Sequence, residues 1–216
     1  MDHKNKSIVA AFDFDKTLTT QDTLLPFVRL SLGRWKTCLN LMRVFPFAVG
    51  FLLGLQTRQQ VKERFLSACF KGYSMSALQA TGKKFVKQKI SRFLKVEGLE
   101  RLKWHQQQGH RCILVSANLN IFIPYWAESA GIQDVLCTIL EEDAEGKATG
   151  KIAGLNWWGE EKVNRLQKIL GHRENVILYA YGDSQGDKEL LGYADYAFYR
   201  SFFKENLEPT KAKTQG

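Results

Sequence analysis

Short apolar runs alternate with helix-like segments along most of this sequence, and this alternation restricts the fold more than any other feature. The runs have the length of buried strands, and they lie at 8–12, 112–115, 135–140, 176–181 and 196–199. Segments with helical spacing occupy 98–110, 120–130, 160–170 and 188–192, and 145–147 is predicted to be a hairpin tip. Because right-handed crossovers join such strands into a parallel sheet, the pattern predicts an α/β fold with a doubly wound, mostly parallel, Rossmann-like sheet.

One long stretch, 22–95, departs from the alternation, since it has helical character and no clear strand. A chain of 216 residues suffices for one sizeable α/β core with an insertion but is short for two full domains. We therefore predict a core domain from 1–21 and 96–204, with 22–95 inserted as a helical cap. The polar end of the chain, 205–216, is predicted to be a flexible tail.

The formal net charge of +9 indicates an anionic partner, such as a phosphate ester, an anionic membrane face or nucleic acid. We expect no nucleic acid, since the basic residues are spread along the chain and the aromatic residues lie in apolar runs. The four cysteines include no CxxC pair, and His105 and His110 lack the spacing of zinc ligands, so we expect reduced thiols and no zinc site. No secretory signal is recognisable, and a cytoplasmic protein is expected.

Polar side chains follow three of the predicted strands, at the ends where ligands bind in sheets of this class. They are Asp13, Asp15, Ser116, Asn118, Asp183 and Asp187. Aspartates often cap loops, but carboxylates gathered at neighbouring strand ends repel one another unless a cation lies between them. Mg²⁺ prefers oxygen ligands. We therefore predict Mg²⁺ as the cofactor, bound among Asp13, Asp15, Asp183 and Asp187.

Four motifs in this order resemble the haloacid dehalogenase superfamily. They are DFDKT after the first strand, SAN after the second, Lys162 near the start of a later helix and GDSQGD after the following strand. Their order and spacing are most similar to the phosphoserine-phosphatase-like branch, in which a helical cap follows the first motif. The resemblance extends over about 8–195 and implies a Mg²⁺-dependent phosphomonoester hydrolase that acts through an aspartyl-phosphate.

The resemblance also implies a role for each motif residue. Asp13 would be the nucleophile, and Asp15 would protonate the leaving oxygen and then activate water. One intervening residue returns Asp15 to the same side of an extended backbone as Asp13. The residues expected to bind the phosphoryl group are Thr17, Ser116, Ala117, Asn118 and Lys162.

A phosphorylated receiver-type signalling domain is the main alternative from another class. Receivers also combine an acid group, a phosphorylated aspartate, a hydroxyl side chain and a lysine on a doubly wound sheet. The spacing Asp13-x-Asp15-x-Thr17 and the long insertion argue against a receiver. The main departure from the family pattern is Lys16, which stands where many members have glycine.

The apolar stretch 37–55 is the part of the insertion that bears most on the substrate. Its uncharged run, 44–55, is shorter than a membrane-spanning helix, and basic residues flank it. Two interpretations stay open: a surface helix that contacts an anionic membrane, and a helix packed inside the cap. A bacterial member of the same branch with a similar insertion dephosphorylates phosphatidylglycerophosphate. This likeness favours a lipid headgroup phosphate, met by a protein that is peripheral at the inner membrane face.

Asp22 and Arg64 favour the alternative substrate, a soluble small molecule such as phosphoserine. Asp22 lies nine residues after Asp13, where phosphoserine phosphatases place a carboxylate for the amine of the substrate. Arg64 falls near the position of the arginine that binds the carboxylate of that substrate. Each residue also has a structural explanation, since Asp22 can cap the following helix and Arg64 can be a solvated helix residue.

Overall fold

The computed structural model describes residues 6–156 and 158–203 and has the predicted α/β architecture. Its strands are β1 (Ser7–Phe12), β2 (Arg111–Leu119), β3 (Asp134–Thr138), β4 (Leu140–Glu142), β5 (Ala148–Ile152), β6 (Val176–Gly182) and β7 (Tyr196–Tyr199). Five of them form a central sheet in the order β3-β2-β1-β6-β7, and each pairing in it is parallel. The remaining two, β4 and β5, form an antiparallel hairpin. The predicted doubly wound sheet is confirmed.

Eight helices accompany these strands in the described part of the chain. Four lie between β1 and β2, namely α1 (Leu24–Leu32), α2 (Arg34–Leu52), α3 (Arg58–Phe70) and α4 (Met75–Gln88). The other four are α5 (Val96–Gln107), α6 (Ile123–Ser129), α7 (Glu160–Leu170) and α8 (Lys188–Tyr193). The inserted segment is therefore helical, as its sequence predicts.

The central strand β1 is buried on both faces, which explains its continuous apolar sequence. Ala10 and Phe12 pack in the same cluster as Leu102 of α5. Val9 and Ala11 pack on the opposite side with Leu166 of α7. Since β1 lies in the middle of the sheet, the strand order reverses next to it, and its carboxyl end is the expected position of a ligand site.

The two ends of the helical insertion lie side by side. Thr19 and Leu94 form an isolated antiparallel bridge. The N–H of Thr20 donates to the carbonyl of Phe93 at 2.7 Å, and the N–H of Lys95 donates to the carbonyl of Leu18 at 2.9 Å. The chain therefore leaves the sheet and returns to it at one place, above the carboxyl end of β1.

Three element boundaries differ from the predicted ones for identifiable reasons. The second strand continues to Leu119, with an irregular register after Ser116. Asn120 is not helical, because its side chain accepts a hydrogen bond from the N–H of Leu140 at 2.9 Å, so α6 begins at Ile123. The predicted strand 135–140 is two strands, β3 and the start of β4. The predicted hairpin tip at 145–147 is confirmed, whereas the tail 205–216 lies outside the described residues.

His105 and His110 meet, although their spacing suggests that they would not. Because α5 ends at Gln107 and Gly109 adopts φ +72°, the chain turns back, and the N–H of His110 donates to the carbonyl of His105 at 3.0 Å. The two Nδ1 atoms are 2.7 Å apart. Burial, together with the positive charge of Arg101, lowers the pKa of His105 to about 3. The pair is therefore a neutral, buried contact behind the sheet.

Candidate active site

Asp13 follows β1 directly, at the carboxyl end of the central strand. Its N–H donates to the carbonyl of Tyr181 on β6 at 2.9 Å, which fixes the start of the turn. Its buried carboxylate accepts a hydrogen bond from Thr17 Oγ1 at 3.0 Å. Burial raises the pKa of Asp13 to about 6; Lys162 opposes this rise and Asp187 adds to it.

The turn after Asp13, Phe14–Leu18, places Lys16 in the left-handed region, with φ +60°. This conformation favours glycine, because a side chain at this position is strained. The N–H of Lys16 donates to Thr19 Oγ1 at 3.0 Å, and its carbonyl accepts from Lys95 Nζ. These contacts hold a backbone conformation that a non-glycine residue adopts at a cost of about 1–2 kcal/mol.

Lys162 is the cation that pairs with the carboxylates of Asp13 and Asp187. It lies in the first turn of α7 and is 2% exposed, and its Nζ is 2.5 Å from both Asp13 Oδ1 and Asp187 Oδ1. Burial alone would lower the pKa of Lys162, but the two carboxylates raise it above its ordinary value. Burial likewise opposes ionisation of Asp187, but Lys162 and Ser184 hold its pKa below the usual range. Both groups are therefore charged at neutral pH.

Asp183 follows β6 and lies beside Asp13 and Asp187. Each of these three aspartates places an oxygen within 4.8 Å of the others. Among the described residues, no side chain donates a hydrogen bond to the carboxylate of Asp183, although the residue is only 8% exposed. Burial raises the pKa of Asp183, and Asp187 raises it further. Gly182 permits this close packing, since a Cβ there would lie 2.5 Å from Cβ of Asp187.

Asp15 does not join that group of carboxylates. One of its oxygens accepts from the N–H and the hydroxyl of Thr23, at 2.9 and 2.6 Å, and the other accepts from Asn118 Nδ2 at 2.7 Å. Burial raises the pKa of Asp15 to about 7, and the charge of Asp22 is the next largest cause. Asp15 therefore lies outside the group of three carboxylates whose oxygens are within 4.8 Å of one another, and its predicted part in metal binding stays a prediction.

The end of β2 supplies the serine and the asparagine. Ser116 Oγ accepts a hydrogen bond from the N–H of Asn118 at 3.0 Å, and both residues are buried. Ala117, between them, lines the same cavity, and its carbonyl accepts from Lys62 Nζ and from Thr138 Oγ1. The irregular end of β2 thus brings all three residues of the SAN motif to the site.

These side chains line the bottom of a cavity of about 730 Å³. Its walls come largely from the insertion and are apolar. The apolar wall residues are Leu24, Leu25, Leu41, Val44, Phe45, Ala48, Phe51, Val61 and Phe65. The cavity therefore combines a polar, charged floor with an apolar wall, an arrangement that suits a ligand with one ionic end and one apolar part.

Of the two predicted substrate-binding residues, one lines the cavity and the other does not. Asp22 lines the cavity, and it also accepts a hydrogen bond from the N–H of Leu24 at 2.9 Å. Arg64 is not among the cavity residues, because its guanidinium stacks over the ring of Phe47 at 4.9 Å. The interpretation of Arg64 as a substrate ligand is therefore not supported.

Two cations that the sequence analysis treated only as basic residues flanking the apolar stretch line the cavity. Lys62 Nζ donates to Ala117 O and, at 2.7 Å, to Asn156 Oδ1. Burial lowers the pKa of Lys62 to about 8, while the charges of Asp22 and Asp15 oppose the decrease. Arg58 lies over the ring of Trp158, 4.4 Å from its centroid. No signal in the sequence identifies these residues, since basic residues in helices are usually solvated.

Comparison with known proteins assigns the chain to a family. The model of the haloacid dehalogenase-like hydrolases matches residues 10–192, which is most of the chain, and the protein belongs to this family. The four motifs that suggested this resemblance fall inside the matched region and lie around one cavity. The expectation of an enzyme of this superfamily is confirmed.

The individual relatives have low sequence identity to this chain. Protein CicA of Caulobacter vibrioides is 26% identical over 199 residues, which cover 92% of this chain and 88% of that protein. A crystal structure of a protein of unknown function from Bordetella pertussis Tohama I has a TM-score of 0.68 at 24% identity and covers 87% of this chain and 86% of that one. A substrate-bound phosphoserine phosphatase has a TM-score of 0.59 at 19% identity, with coverage of 88% and 84%. The similarities to these structures establish the fold.

Proposed function

We propose that the protein hydrolyses phosphomonoesters through an aspartyl-phosphate on Asp13. The observation that carries this proposal is that Asp13 and Asp15 line one cavity, and that Lys162 Nζ lies 2.5 Å from Asp13 Oδ1. Burial raises the pKa of both carboxyl groups, but the cation beside Asp13 favours the ionised form that a nucleophile requires. Asp15 has no such ion pair with any described residue, and the charge of Asp22 raises its pKa further, which favours the protonated form that an acid requires.

The reaction would have two steps that regenerate both groups. A carboxylate oxygen of Asp13 attacks phosphorus, the bond from phosphorus to the ester oxygen breaks, and Asp15 gives its proton to that oxygen. Water then attacks phosphorus while Asp15 accepts a proton from it, and the bond to Asp13 breaks. Lys162, beside the nucleophile, would offset the negative charge of the phosphoryl group, and Ser116 would donate a hydrogen bond to one of its oxygens. Thr17, whose hydroxyl donates to Asp13, would orient the nucleophile.

The acid group fits Mg²⁺, which we propose as the cofactor. Asp13, Asp183 and Asp187 carry three carboxylates against the one ammonium of Lys162, and the carboxylate of Asp183 has no donor from a described side chain. Oxygen atoms of Asp13 and Asp183 would hold the ion. Asp187 would orient Lys162, since its second oxygen is occupied by Ser184. A bound Mg²⁺ would screen the repulsion between an anionic nucleophile and an anionic substrate.

We also propose the domain division 1–21 and 96–204 for the core and 22–95 for the cap. Two observations support it. The insertion is helical between β1 and β2, and its ends pair through Thr19 and Leu94. In this division the core supplies the carboxylates and Lys162, and the cap supplies Asp22, Lys62 and the apolar wall. The core would then carry the chemistry and the cap would select the substrate.

The substrate we propose is a lipid headgroup phosphate such as phosphatidylglycerophosphate, met by a peripheral protein at the cytoplasmic membrane face. The apolar wall from α1, α2 and α3 supports it, because a small polar phosphate offers nothing for that wall to bury. A soluble amino-acid phosphate is the second candidate, favoured by one observation: Asp22 and Lys62 both line the cavity and could pair with an amine and a carboxylate.

Phosphate release separates these possibilities. Wild-type protein should hydrolyse an aryl phosphate with Mg²⁺ and lose activity on exhaustive chelation. Ca²⁺ should inhibit it, because Ca²⁺ is larger and has a looser coordination than the Mg²⁺ that Asp13 and Asp183 would hold. Asp13→Asn should abolish turnover. Activity within about tenfold of wild type in that variant would exclude Asp13 as the nucleophile.

The substrate class is tested with phosphatidylglycerophosphate in detergent micelles against phosphoserine. Phe45→Ser removes part of the apolar wall and should raise KM for the lipid only, whereas Lys62→Met should raise KM for phosphoserine more strongly. A wild-type preference for phosphoserine, unchanged by Phe45→Ser, would refute the lipid assignment and support the second candidate.

A further inference from the structure

The helix α2 exposes apolar residues and buries polar ones, the reverse of what is usual for a helix in water. Its most buried positions include the polar residues Thr37 and Asn40. The opposite face presents Trp35, Leu39, Met42 and Val49, and Trp35 is 90% exposed. These four positions are spaced by four, three and seven residues, so they share one face of the helix. We call this set the outer face of α2.

Exposed apolar residues continue beyond the outer face in two directions. At the end of the helix, Leu52, Leu53 and Leu55 are also largely exposed, with Leu52 at 81%. On the side of the cavity, Phe45 is both exposed and part of the wall. Apolar patches of this extent on a soluble protein usually mark a contact with another surface. The same helix therefore forms the wall of the cavity and an exposed apolar surface next to it.

The segment of the chain that carries this surface has charges of one sign. Residues 23–62 contain no aspartate or glutamate, and their cations are Arg29, Arg34, Lys36, Arg43, Arg58 and Lys62. Lys36 and Arg43 lie along one side of the outer face and are exposed. An apolar helix face bordered by cations is complementary to an anionic bilayer, in which apolar side chains enter the interface and cations contact headgroups. A second copy of the chain seated on this face would bring two uncompensated cationic surfaces together.

We propose that the outer face of α2, with the exposed leucines after it, binds the surface of an anionic lipid bilayer and turns the cavity mouth towards the headgroups. The helix would lie along the interface, consistent with the finding that none of the described helices is long and apolar enough to cross a membrane. The orientation of the cavity rests on the proposed lipid substrate, whereas binding to the bilayer does not.

The first test is flotation of the full chain with vesicles of phosphatidylcholine alone or with an equal part of phosphatidylglycerol. Wild type should float with the anionic vesicles only, and added salt should weaken binding because it screens the cations. Leu39→Glu and Met42→Glu should each weaken binding about tenfold or more, since a charge replaces an exposed apolar side chain that would enter the interface. Val96→Glu is the matched control, because Val96 is also exposed and apolar but lies on α5. Its binding should equal that of wild type.

Turnover of a soluble aryl phosphate serves as the check of folding, and Leu39 and Met42 do not line the cavity. Both variants should retain wild-type turnover of this substrate and lose turnover of a lipid phosphate embedded in vesicles. Wild type that stays with the soluble fraction, or equal loss of binding in Val96→Glu and Met42→Glu, would overturn the proposal.

Sedimentation velocity without vesicles tests whether a second copy of the chain, rather than a bilayer, covers the outer face of α2. A wild-type dimer that Met42→Glu dissociates, together with no flotation, would assign the outer face to a second copy of the chain and overturn the bilayer assignment. Failure of the proposed function gives a different result. An inactive protein that still floats would refute the proposed hydrolysis and support bilayer binding. An active protein that does not float would support the hydrolysis and refute bilayer binding.

Discussion

Asp13→Asn should make the metal-free protein more stable at alkaline pH, even though it removes the proposed nucleophile. In the wild type, ionised Asp13 is buried with Asp187 nearby, and its ion pair with Lys162 compensates only part of the cost. Asparagine has nearly the same shape and carries no charge. Lys162 keeps its second partner, Asp187, in the variant.

The magnitude follows from the pKa of Asp13, which is about 6 in the folded protein against an ordinary value of 3.8. Between these two values the folded state binds more protons than the unfolded state, so stability falls as the pH rises. The cost is absent below pH 3.8 and complete above pH 6, where it amounts to up to about 3 kcal/mol. Asn at position 13 removes this cost, so the gain should begin above about pH 3.8 and be complete above about pH 6.

Urea unfolding with a chelator present, at pH 5 and pH 8, measures the effect. Wild type should lose stability between the two values relative to Asp13→Asn, and the difference at pH 8 should approach about 3 kcal/mol. Glu100→Gln, an exposed carboxylate changed to an amide, is the control and should follow the wild-type pH dependence. Equal or lower stability of Asp13→Asn at pH 8 would refute the argument that burial of this charge is incompletely compensated.

Three further predictions concern the turn after β1 and the acid in it. Asp15→Asn should accumulate phosphoenzyme, detectable by intact mass after an acid quench, because an amide cannot activate water; wild-type turnover without accumulation would contradict its role. Asp22→Asn should move the alkaline limb of the kcat/KM profile to lower pH, because the Asp22 charge helps to raise the pKa of Asp15, and an unmoved limb would exclude this coupling. Lys16→Gly should be about 1 kcal/mol more stable than Lys16→Ala in urea unfolding, the reverse of the order in a helix, because φ is +60° there.

The sequence predicts the floor of the site well, because its placement depends on local and general rules. Asp13, Ser116 and Asp183 follow apolar runs, and the carboxyl ends of parallel strands meet at one edge of the sheet. Neither rule requires knowledge of distant contacts. The side-chain partners within the floor are less predictable, and Asp15 illustrates this, since Thr23 and Asn118 direct it away from the other acids.

The wall of the cavity was predicted less well, because it depends on which face of each inserted helix turns inwards. Arg64 and Lys62 are two residues apart on α3, and such positions lie on different sides of a helix. Lys62 lines the cavity, whereas Arg64 stacks on Phe47. The spacing of apolar residues also could not predict that α2 buries Thr37 and Asn40 and exposes apolar residues. The helix is apolar on most of its circumference, so its sequence indicates no single buried face.

Replacing Lys162 is the most stringent test of whether its charge compensates the buried carboxylates of Asp13 and Asp187. Lys162→Met keeps the length of the side chain but leaves Asp13 and Asp187 buried without a cation, so unfolding free energy at pH 8 should fall by about 3–5 kcal/mol. At pH 5 the loss should be smaller, because Asp13 is then protonated and carries no charge. Lys151→Met, at an exposed position on β5, is the control and should be near neutral. In the double variant with Asp13→Asn the loss should shrink, because only one carboxylate remains unpaired; strictly additive effects at pH 8 would show that Lys162 and Asp13 are not coupled.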